Sequence, residues 1–419
     1  MKVLVVGSGG REHAIVWKLS QSKRIDKIFC APGNGGISEY AECLDIGVMD
    51  TPSIINACRE KNIDLVIVAP DDPLAMGMVN ALTEAGIRAF GPTKEAALIE
   101  SSKEFSKNLM KKYGIPTARF ETFSDMDKAL AYIENQEYPL VVKADGLALG
   151  KGVVICNTED EAREAIISMM EKKKFGDAGN VVVIEEFLSG PEVSVLSFTD
   201  GKTIVPMVSA QDHKRVFDGD KGPNTGGMGA FSPSTVYTGE IAEICMSKIF
   251  RPTIEALNKE GRTFRGVLYF GLILTKDGPK VLEYNARFGD PETQVVLPRL
   301  KNDLLDIIEA VIDERLNEIE IEWDNSACLC VIMASEGYPQ NYRKGLKIFG
   351  LDAVKASKDI MVFHAGTKKE GNEYYTNGGR VLGVTALGQT LKEAKDKAYR
   401  HVSAIHFEGA HYRRDIGNF

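Results

Sequence analysis

The sequence predicts a multidomain protein of α/β and α+β class, and three observations predict it. At 419 residues the chain is long enough for two to four domains, each burying its own core. The N-terminal quarter alternates short apolar runs with helical stretches, the pattern of a parallel sheet with helices packed on it. Later segments place strand beside strand across glycine-rich turns, an antiparallel α+β pattern.

In order along the chain, "KVLVV" enters a glycine turn and "REHAIVWKLSQS" follows as a helix. "KIFCAPG", "DLVIVAP" and "RAFGP" are the next strands of this Rossmann-like unit, residues 1–101. It gives way within "FGPTKEAALIESSKEFSKNLMKKYGIP", whose helix stops at Gly114 and Pro116. "YPLVVKADGLALGKGVVICN", "EDEAREAIISMMEKKK" and "NVVVIEEFLSGPEVSVLSFTDGK" read as a hairpin, a helix and more strands. "DGDKGPNTGGMG" (218–229) is expected to be an exposed, mobile loop, and "FRGVLYFGLILT" and "GPKVLEYN" to be paired strands. The middle region so defined is 102–324, and the last, 325–419, holds the strands "ACLCVIMASEG", "IMVFHAGT" and "GGRVLGVTALG" and a helix in "TLKEAKDKAYRHVSAI".

Composition narrows the function. A formal charge of −8 argues against a general nucleic-acid binder, which would carry a basic face. No run of eighteen apolar residues suggests a membrane span, and the N-terminus lacks the features of a signal peptide. Seven scattered cysteines without a CxxC point away from disulfides and zinc, so a reduced, cytoplasmic setting is expected. Cys328 and Cys330 read as same-face core residues of one strand.

Three polar stretches carry chemistry. "GSGGREH" (7–13) misses the dinucleotide fingerprint GxGxxG at Glu12, which rejects NAD. A tight strand-to-helix turn accounts for it as well as an anion site at a helix N-terminus does. "KADGLALGKGVV" (143–154) is not a P-loop, because Gly146 and Gly150 are spaced too closely and the loop leads into a strand. A glycine-rich loop between strands, with Lys143 and Lys151 beside it, suits a flap over nucleotide phosphates. The two acids after the strand in "VVVIEEFLSGPEVSV" (181–195) read as solvated if the segment stands alone; beside a phosphate flap, backbone here would pair with an adenine edge and Glu192 would take ribose hydroxyls. In "VLEYNARFGDPETQ" the strand period puts Val281, Glu283 and Asn285 on one face, with Leu282 and Tyr284 on the other. A carboxylate and an amide oxygen about 7 Å apart on one face, with Arg287 beside them, suit Mg²⁺ and a phosphoryl group.

Together these features resemble the ATP-grasp ligases. "GGREHA", "APGN", "FGPT", "KADGLALGKGV", "QDHKR", "GPNTGGMGA", "RFGDPETQ" and "NGGRVL", spread over nearly the whole chain, are similar to the phosphoribosylamine–glycine ligase family. The resemblance implies an ATP-grasp domain over 102–324 with a small lid subdomain at about 120–190. It implies ATP-dependent ligation of glycine to 5-phosphoribosylamine through a glycyl phosphate, in a monomer with no nucleic-acid or membrane partner. By motif, Lys103 and Lys143 would hold ATP phosphates, with Gly146, Gly150, Lys151 and Gly152 in the lid. Glu185, Glu186, Phe187 and Leu188 would form the adenine hinge, with Glu192 at the ribose. Glu283 and Asn285 would bind Mg²⁺ or Mn²⁺, and Arg287, Asp212 and Lys214 would be catalytic. Arg215 and Asp290 would line the amine and glycine side, and Gly9, Gly10 and Asn34 the ribosyl 5-phosphate end.

Two departures bear on this. Asp71 and Met76 stand where the family commonly shows a glutamate and a lysine, and "GVLYFGLIL" lacks the metal carboxylate of many ATP-grasp enzymes, which leaves the number of metal ions open. With the C-terminal region ending at Phe419, a monofunctional chain is expected. Another ATP-grasp carboxylate–amine ligase, an ATP-grasp carboxylase, a nucleotide-binding regulator without turnover and an NAD oxidoreductase are the competing readings; substrate-dependent ADP release separates the ligases and carboxylase, and the absence of a nicotinamide-dependent absorbance change closes the last.

Overall fold

The computed structural model describes residues 1–147, 152–355 and 359–418. The N-terminal unit holds β1 (Lys2–Gly7), α1 (Gly10–Leu19), β2 (Lys27–Pro32), β3 (Glu42–Cys43), α2 (Thr51–Lys61), β4 (Leu65–Val68), α3 (Asp71–Met76), α4 (Met78–Glu84), β5 (Arg88–Phe90) and α5 (Lys94–Ser101). Its sheet is parallel throughout, in the order β3-β2-β1-β4-β5. Alternate residues of β1 serve two cores: Val3 and Val5 pack with Ala14, Ile15 and Leu19, whereas Leu4 and Val6 pack with Ile54, Leu74 and Leu82. Strand order reverses at β1, so the crevice beyond the carboxyl ends of β1 and β4 is where an open parallel sheet binds ligands.

The next helix, α6 (Lys103–Tyr113), starts at Ser102, whose Oγ accepts the Phe105 N–H at 3.0 Å. Residues 120–186 then form a subdomain of β6 (Phe120–Phe123), α7 (Met126–Ile133), β7 (Leu140–Ala144), β8 (Val153–Cys156), α8 (Glu159–Met170) and β9 (Val182–Glu186). Its antiparallel sheet, β6-β9-β7-β8, has a core of its own that includes Leu140, Val142, Ile166, Val182 and Ile184.

The middle region continues with β10 (Glu192–Thr199), β11 (Ile204–Pro206), β12 (Gln211–Asp212), β13 (Arg215–Phe217), β14 (Lys221–Asn224) and β15 (Gly229–Ser232). After α9 (Gly239–Cys245) and α10 (Arg251–Lys259) come β16 (Gly266–Thr275), β17 (Gly278–Asn285), α11 (Thr293–Val296) and α12 (Leu304–Ile312). Strands β11-β10-β16-β17 make the central antiparallel sheet. Its pairing slips at one place: Gly271 faces Glu283 but Leu272 faces Val281, so Leu282 is the extra residue of a bulge. The expected face pattern is therefore corrected. Val281 shares the core side with Tyr284, and Leu282 joins Glu283 and Asn285 on the cleft side.

The C-terminal region contributes β18 (Ala327–Ser335), β19 (Lys347–Ile348), α13 (Leu351–Lys355), β20 (Ile360–His364), β21 (Thr367–Glu370), β22 (Glu373–Thr376), β23 (Arg380–Gly388), α14 (Leu391–Val402) and β24 (Ala410–His411). In β18, Cys328 and Cys330 pack into the core shared with the N-terminal sheet, while Leu329 and Val331 face α14 and its neighbours. All seven cysteines are free thiols. The expected boundary at 324/325 divides the chain but not the sheets, because β12 and β15 extend the C-terminal sheet as β12-β15-β18-β23-β20. Among the described residues, no helix is long and apolar enough to cross a membrane.

The stretch 218–229, expected as an exposed, mobile loop, is exposed over 218–223 but supplies the turn and second strand of a hairpin, β13–β14. Arg413, whose side chain is 1% exposed, holds it from the C-terminal segment: Nη1 donates to the Arg215 carbonyl at 3.1 Å and pairs with Asp220 at 2.7 Å, while Nη2 pairs with Asp415 at 2.7 Å. Asp415 also accepts the Gly219 N–H at 2.8 Å. Glycine content signalled a loop; contacts from residues nearly two hundred positions away fold it.

Arg413→Met is expected to cost about 3 kcal/mol, the low end for breaking a buried ion pair, because solvent can partly take over at the exposed Asp220. A thermal melt showing an unchanged first transition would remove Arg413 as the hairpin's anchor.

Candidate active site

A cleft of about 1010 Å³ runs between the 120–186 subdomain, the central sheet, the β13–β14 hairpin and the carboxyl ends of β1 and β4. It is larger than most single-ligand pockets, room enough for a nucleotide and a second substrate.

One end is built around a buried carboxylate. Glu185, on β9 and 2% exposed, pairs through Oε1 with Lys143 and through Oε2 with Lys107, both at 2.9 Å. Lys107 also donates to Thr117 Oγ1 at 2.8 Å. Burial pushes the Lys107 ammonium down to about 8. Burial would also raise Glu185, but the two lysines outweigh it and hold the carboxyl below its ordinary range. Lys103 lies one helical turn before Lys107 on α6 and donates to the Gly146 carbonyl at 2.9 Å. Lys143 thus reaches the cleft from a fixed position, beside Lys103. Gly146 and Gly152 flank the loop, with Gly152 lining the cleft; Gly150 and Lys151 lie outside the described residues.

Beyond β9 the wall is apolar, formed by Phe187 (40% exposed), Leu188, Ile155, Val141 and Val153. Of the hinge residues, Glu185 turns inward to its lysines, and Glu186 accepts from Arg119 Nε at 2.8 Å. The wall that remains for a flat aromatic ring is Phe187 and Leu188.

On β17, the bulge at Leu282 presents Glu283 and Asn285 to the cleft. Lys214 Nζ lies 3.5 Å from Glu283 Oε1 and 3.0 Å from Glu192 Oε2. Arg287 Nη2 lies 3.1 Å from Asn285 Oδ1 and 3.0 Å from Glu100 Oε1, and Asp71 is 3.8 Å away. Lys214 holds the Glu283 carboxyl below its ordinary range against the opposing effect of burial. Burial raises Glu100 to about 6 despite Arg287. Arg287 Nε is buried and has no acceptor among the described residues. The donor set fits a hard divalent cation: one carboxylate and one amide oxygen, with the rest of the shell left to water and phosphate.

Asp212 follows on the same wall. Desolvation pushes its carboxyl up to about 8, with Lys214 opposing and Glu292, Glu192 and Glu283 reinforcing the rise. Arg215 donates to the Gly222 carbonyl at 2.7 Å within its hairpin. Asp290 is held by Arg380 at 3.2 Å and by Gln294 Nε2 at 2.8 Å.

At the glycine turn, Glu12 Oε2 accepts the Gly9 N–H at 2.6 Å, and its Oε1 pairs with Arg11 Nε at 2.6 Å. The residue that breaks the dinucleotide fingerprint therefore fills part of the anion-binding helix terminus with its own carboxylate. Gly10 packs on Gln294, where a Cβ would come within 2.7 Å of Nε2. Asn34 uses both ends of its amide: Nδ2 donates to the Ser8 and His364 carbonyls at 2.8 Å, and Oδ1 accepts from Gly36 and Ile37 at 2.9 Å. Its side chain clamps the turn to β20 and does not line the cleft. Met76 is 67% exposed and also stands outside the lining, whereas Asp71 is part of it.

Arg11, Glu100, Lys107, Glu292 and Arg380 line the cleft and were not singled out from the sequence. For Lys107 a signal existed: it falls four residues after Lys103, on the same helical face. Glu100 looks like any acid on a helix, and only the fold brings it to Arg287.

Residues 1–100, 101–293 and 328–419 match the N domain, the ATP-grasp (A) domain and the C domain of phosphoribosylglycinamide synthetase. A phosphoribosylamine–glycine ligase of Halalkalibacterium halodurans is 50% identical over 418 residues, covering 100% of this chain and 97% of its own. The trifunctional purine biosynthetic protein adenosine-3 of Gallus gallus is 50% identical over 99% of this chain, which spans 42% of it. The crystal structure of the Thermotoga maritima phosphoribosylamine–glycine ligase superposes with a TM-score of 0.86 at 34% identity, covering 100% of both chains. The biotin carboxylase domain of a Hydrogenobacter thermophilus 2-oxoglutarate carboxylase shares the fold at 17% identity, with a TM-score of 0.75. With three consecutive domain matches over nearly its whole length, the chain belongs to the phosphoribosylglycinamide synthetase family, within the ATP-grasp fold.

Proposed function

We propose that the cleft binds ATP against β7, β9 and β17 and joins glycine to 5-phosphoribosylamine beside Asp212, Arg287 and Asp290. The chain is an ATP-dependent carbon–nitrogen ligase of purine biosynthesis, forming glycinamide ribonucleotide, ADP and phosphate. The observation that carries the assignment of roles is the row Glu283, Asn285, Arg287 facing Lys103 and Lys143 across one cleft.

A carboxylate is a poor electrophile, so glycine is first phosphorylated and the ribosylamine nitrogen then attacks the acyl phosphate. Lys143, fixed by Glu185, and Lys103 hold the phosphates. The adenine lies on Phe187 and Leu188, with Glu192 at the ribose. Glu283 and Asn285 would hold Mg²⁺ or Mn²⁺, which would neutralise phosphate charge. Arg287, with Nε free to donate, stabilises the phosphoryl group in transfer. Asp212 takes the proton that the attacking nitrogen releases, with Lys214 beside it. Arg215 and Asp290 border the glycine and amine side. The sugar phosphate lies toward Gly9 and Gly10 with Arg11, and Asn34 acts on it by shaping the turn. The protein is read as a cytoplasmic monomer with small-molecule partners only.

The reading is tested by ADP release with Mg-ATP, glycine and phosphoribosylamine formed in situ, omitting each in turn. Release that requires both glycine and the ribosylamine supports it; release with bicarbonate instead supports the carboxylase.

Glu283→Ala is expected to lose nearly all turnover at low Mg²⁺ with an unchanged melting temperature, and wild-type rates would end the metal assignment. For Asp212 the sign follows from its raised pKa: below about 8 the carboxyl is protonated and cannot accept a proton. Activity should therefore rise with pH toward that value, and Asp212→Asn should be slower by about a hundredfold or more and lack that limb. A variant that keeps the wild-type pH profile would exclude Asp212 as the acceptor.

A further inference from the structure

Both oxygen ligands offered for a divalent cation are already engaged by cations of the protein. Glu283 faces Lys214 at 3.5 Å, and Asn285 accepts from Arg287 at 3.1 Å. Each of these cations has a second, closer acidic partner that the metal reading does not use. Lys214 is 3.0 Å from Glu192, and Arg287 is 3.0 Å from Glu100. Glu100, 7% exposed, is in turn fixed by the Ala286 N–H at 2.7 Å. Every cation therefore has one anchor it keeps and one oxygen it can give up.

The charge balance gives this arrangement a consequence. The seat brings one formal negative charge, from Glu283, and Lys103 and Lys143 stand over it together with Lys214 and Arg287. A bare divalent ion entering there meets a carboxylate faced by four cations, three of them also paired with Glu192, Glu185 and Glu100, and an amide oxygen already bonded to Arg287. A nucleoside triphosphate gives the cations that cover Glu283 and Asn285 new anionic partners and supplies oxygens to complete a six-coordinate shell.

We propose that Lys214 and Arg287 are resident counter-cations of the metal seat, so that the divalent ion binds with the nucleotide and not before it. Lys214 and Arg287 release Glu283 and Asn285 when the nucleotide arrives, stay tethered by Glu192 and Glu100, and turn onto the phosphoryl and carboxylate oxygens that need them. Charge in the empty site is thus stored in the groups that later act on the substrate. This inference rests on the assignment of Glu283 and Asn285 as metal ligands.

The test uses Mn²⁺ alone, followed by the electron paramagnetic resonance of the free ion, on the full chain without nucleotide. Lys214→Met, and Lys214→Gln as a second variant, should bind Mn²⁺ about fivefold tighter or more than wild type, the scale of a partly exposed ion pair. Adding Glu283→Gln to either should abolish the gain. Equal Mn²⁺ affinity in wild type and both lysine variants overturns the proposal, as does a gain that survives Glu283→Gln. Repeating the titration with a non-hydrolysable ATP analogue separates the two layers. If Glu283→Gln alone weakens Mn²⁺ binding there while the lysine variants show no gain without nucleotide, the metal seat stands and the counter-cation role falls. If Glu283→Gln leaves Mn²⁺ binding with the analogue unchanged, the metal assignment falls and this inference with it.

Discussion

The pairing of Glu185 with Lys107 and Lys143 is the constraint around which the cleft is organised. Three charges sit almost out of water where α6, β7 and β9 meet, and a single unpaired one would be costly there. Because Glu185 has two oxygens, one lysine pairs with each, and the set keeps one positive charge in excess. That surplus is directed at the cleft through Lys143. The helix, both strands and the backbone bulge on β17, whose Leu282 carbonyl Lys143 reaches at 3.3 Å, are thereby held in one register.

The same logic recurs at the other end, with different strand geometry. A strand of strict period two would have placed Val281 beside Glu283 and Asn285, an apolar side chain in the polar row. The slip at Leu282 returns Val281 to the core with Tyr284 and frees Glu283 and Asn285 to face the cleft together. Arg287 then emerges just past the strand end, where Glu100 on α5 and Asp71 at the start of α3 meet it. Asp71 comes within 3.8 Å of Arg287, an electrostatic contact that the shorter acid can make.

What was legible in the sequence was what is local. Alternation of apolar runs and helices gave the parallel N-terminal sheet, and "FRGVLYFGLILT" with "GPKVLEYN" gave the pairing of β16 and β17. The motif residues Lys103, Lys143, Glu192, Asp212, Lys214, Glu283, Asn285, Arg287 and Asp290 all line one cleft. What escaped depends on partners distant in sequence. The bulge is set by the neighbouring strand, the hairpin at 215–224 by Arg413, and the extension of the C-terminal sheet by β12 and β15. Lys107 shares the helical face of Lys103, but so does solvent-facing Lys111; the position of Glu185 is what makes Lys107 the buried cation.

Asn34 and Glu12 show how one turn can serve both fold and site. Free N–H groups at the start of α1 would attract an anion from solvent, and Glu12 satisfies one of them internally. Asn34 fixes the Ser8 carbonyl and joins it to β20, so the turn is held from both the N-terminal and C-terminal sheets. Beside it, His13 Nδ1 accepts the His364 N–H at 2.7 Å, and burial lowers the ring to about 4, so the joint stays uncharged at neutral pH. A neutral joint suits this place. The His13 ring is packed among those of Tyr40, Phe363 and His364, where burial disfavours a charge more than Glu39 favours it.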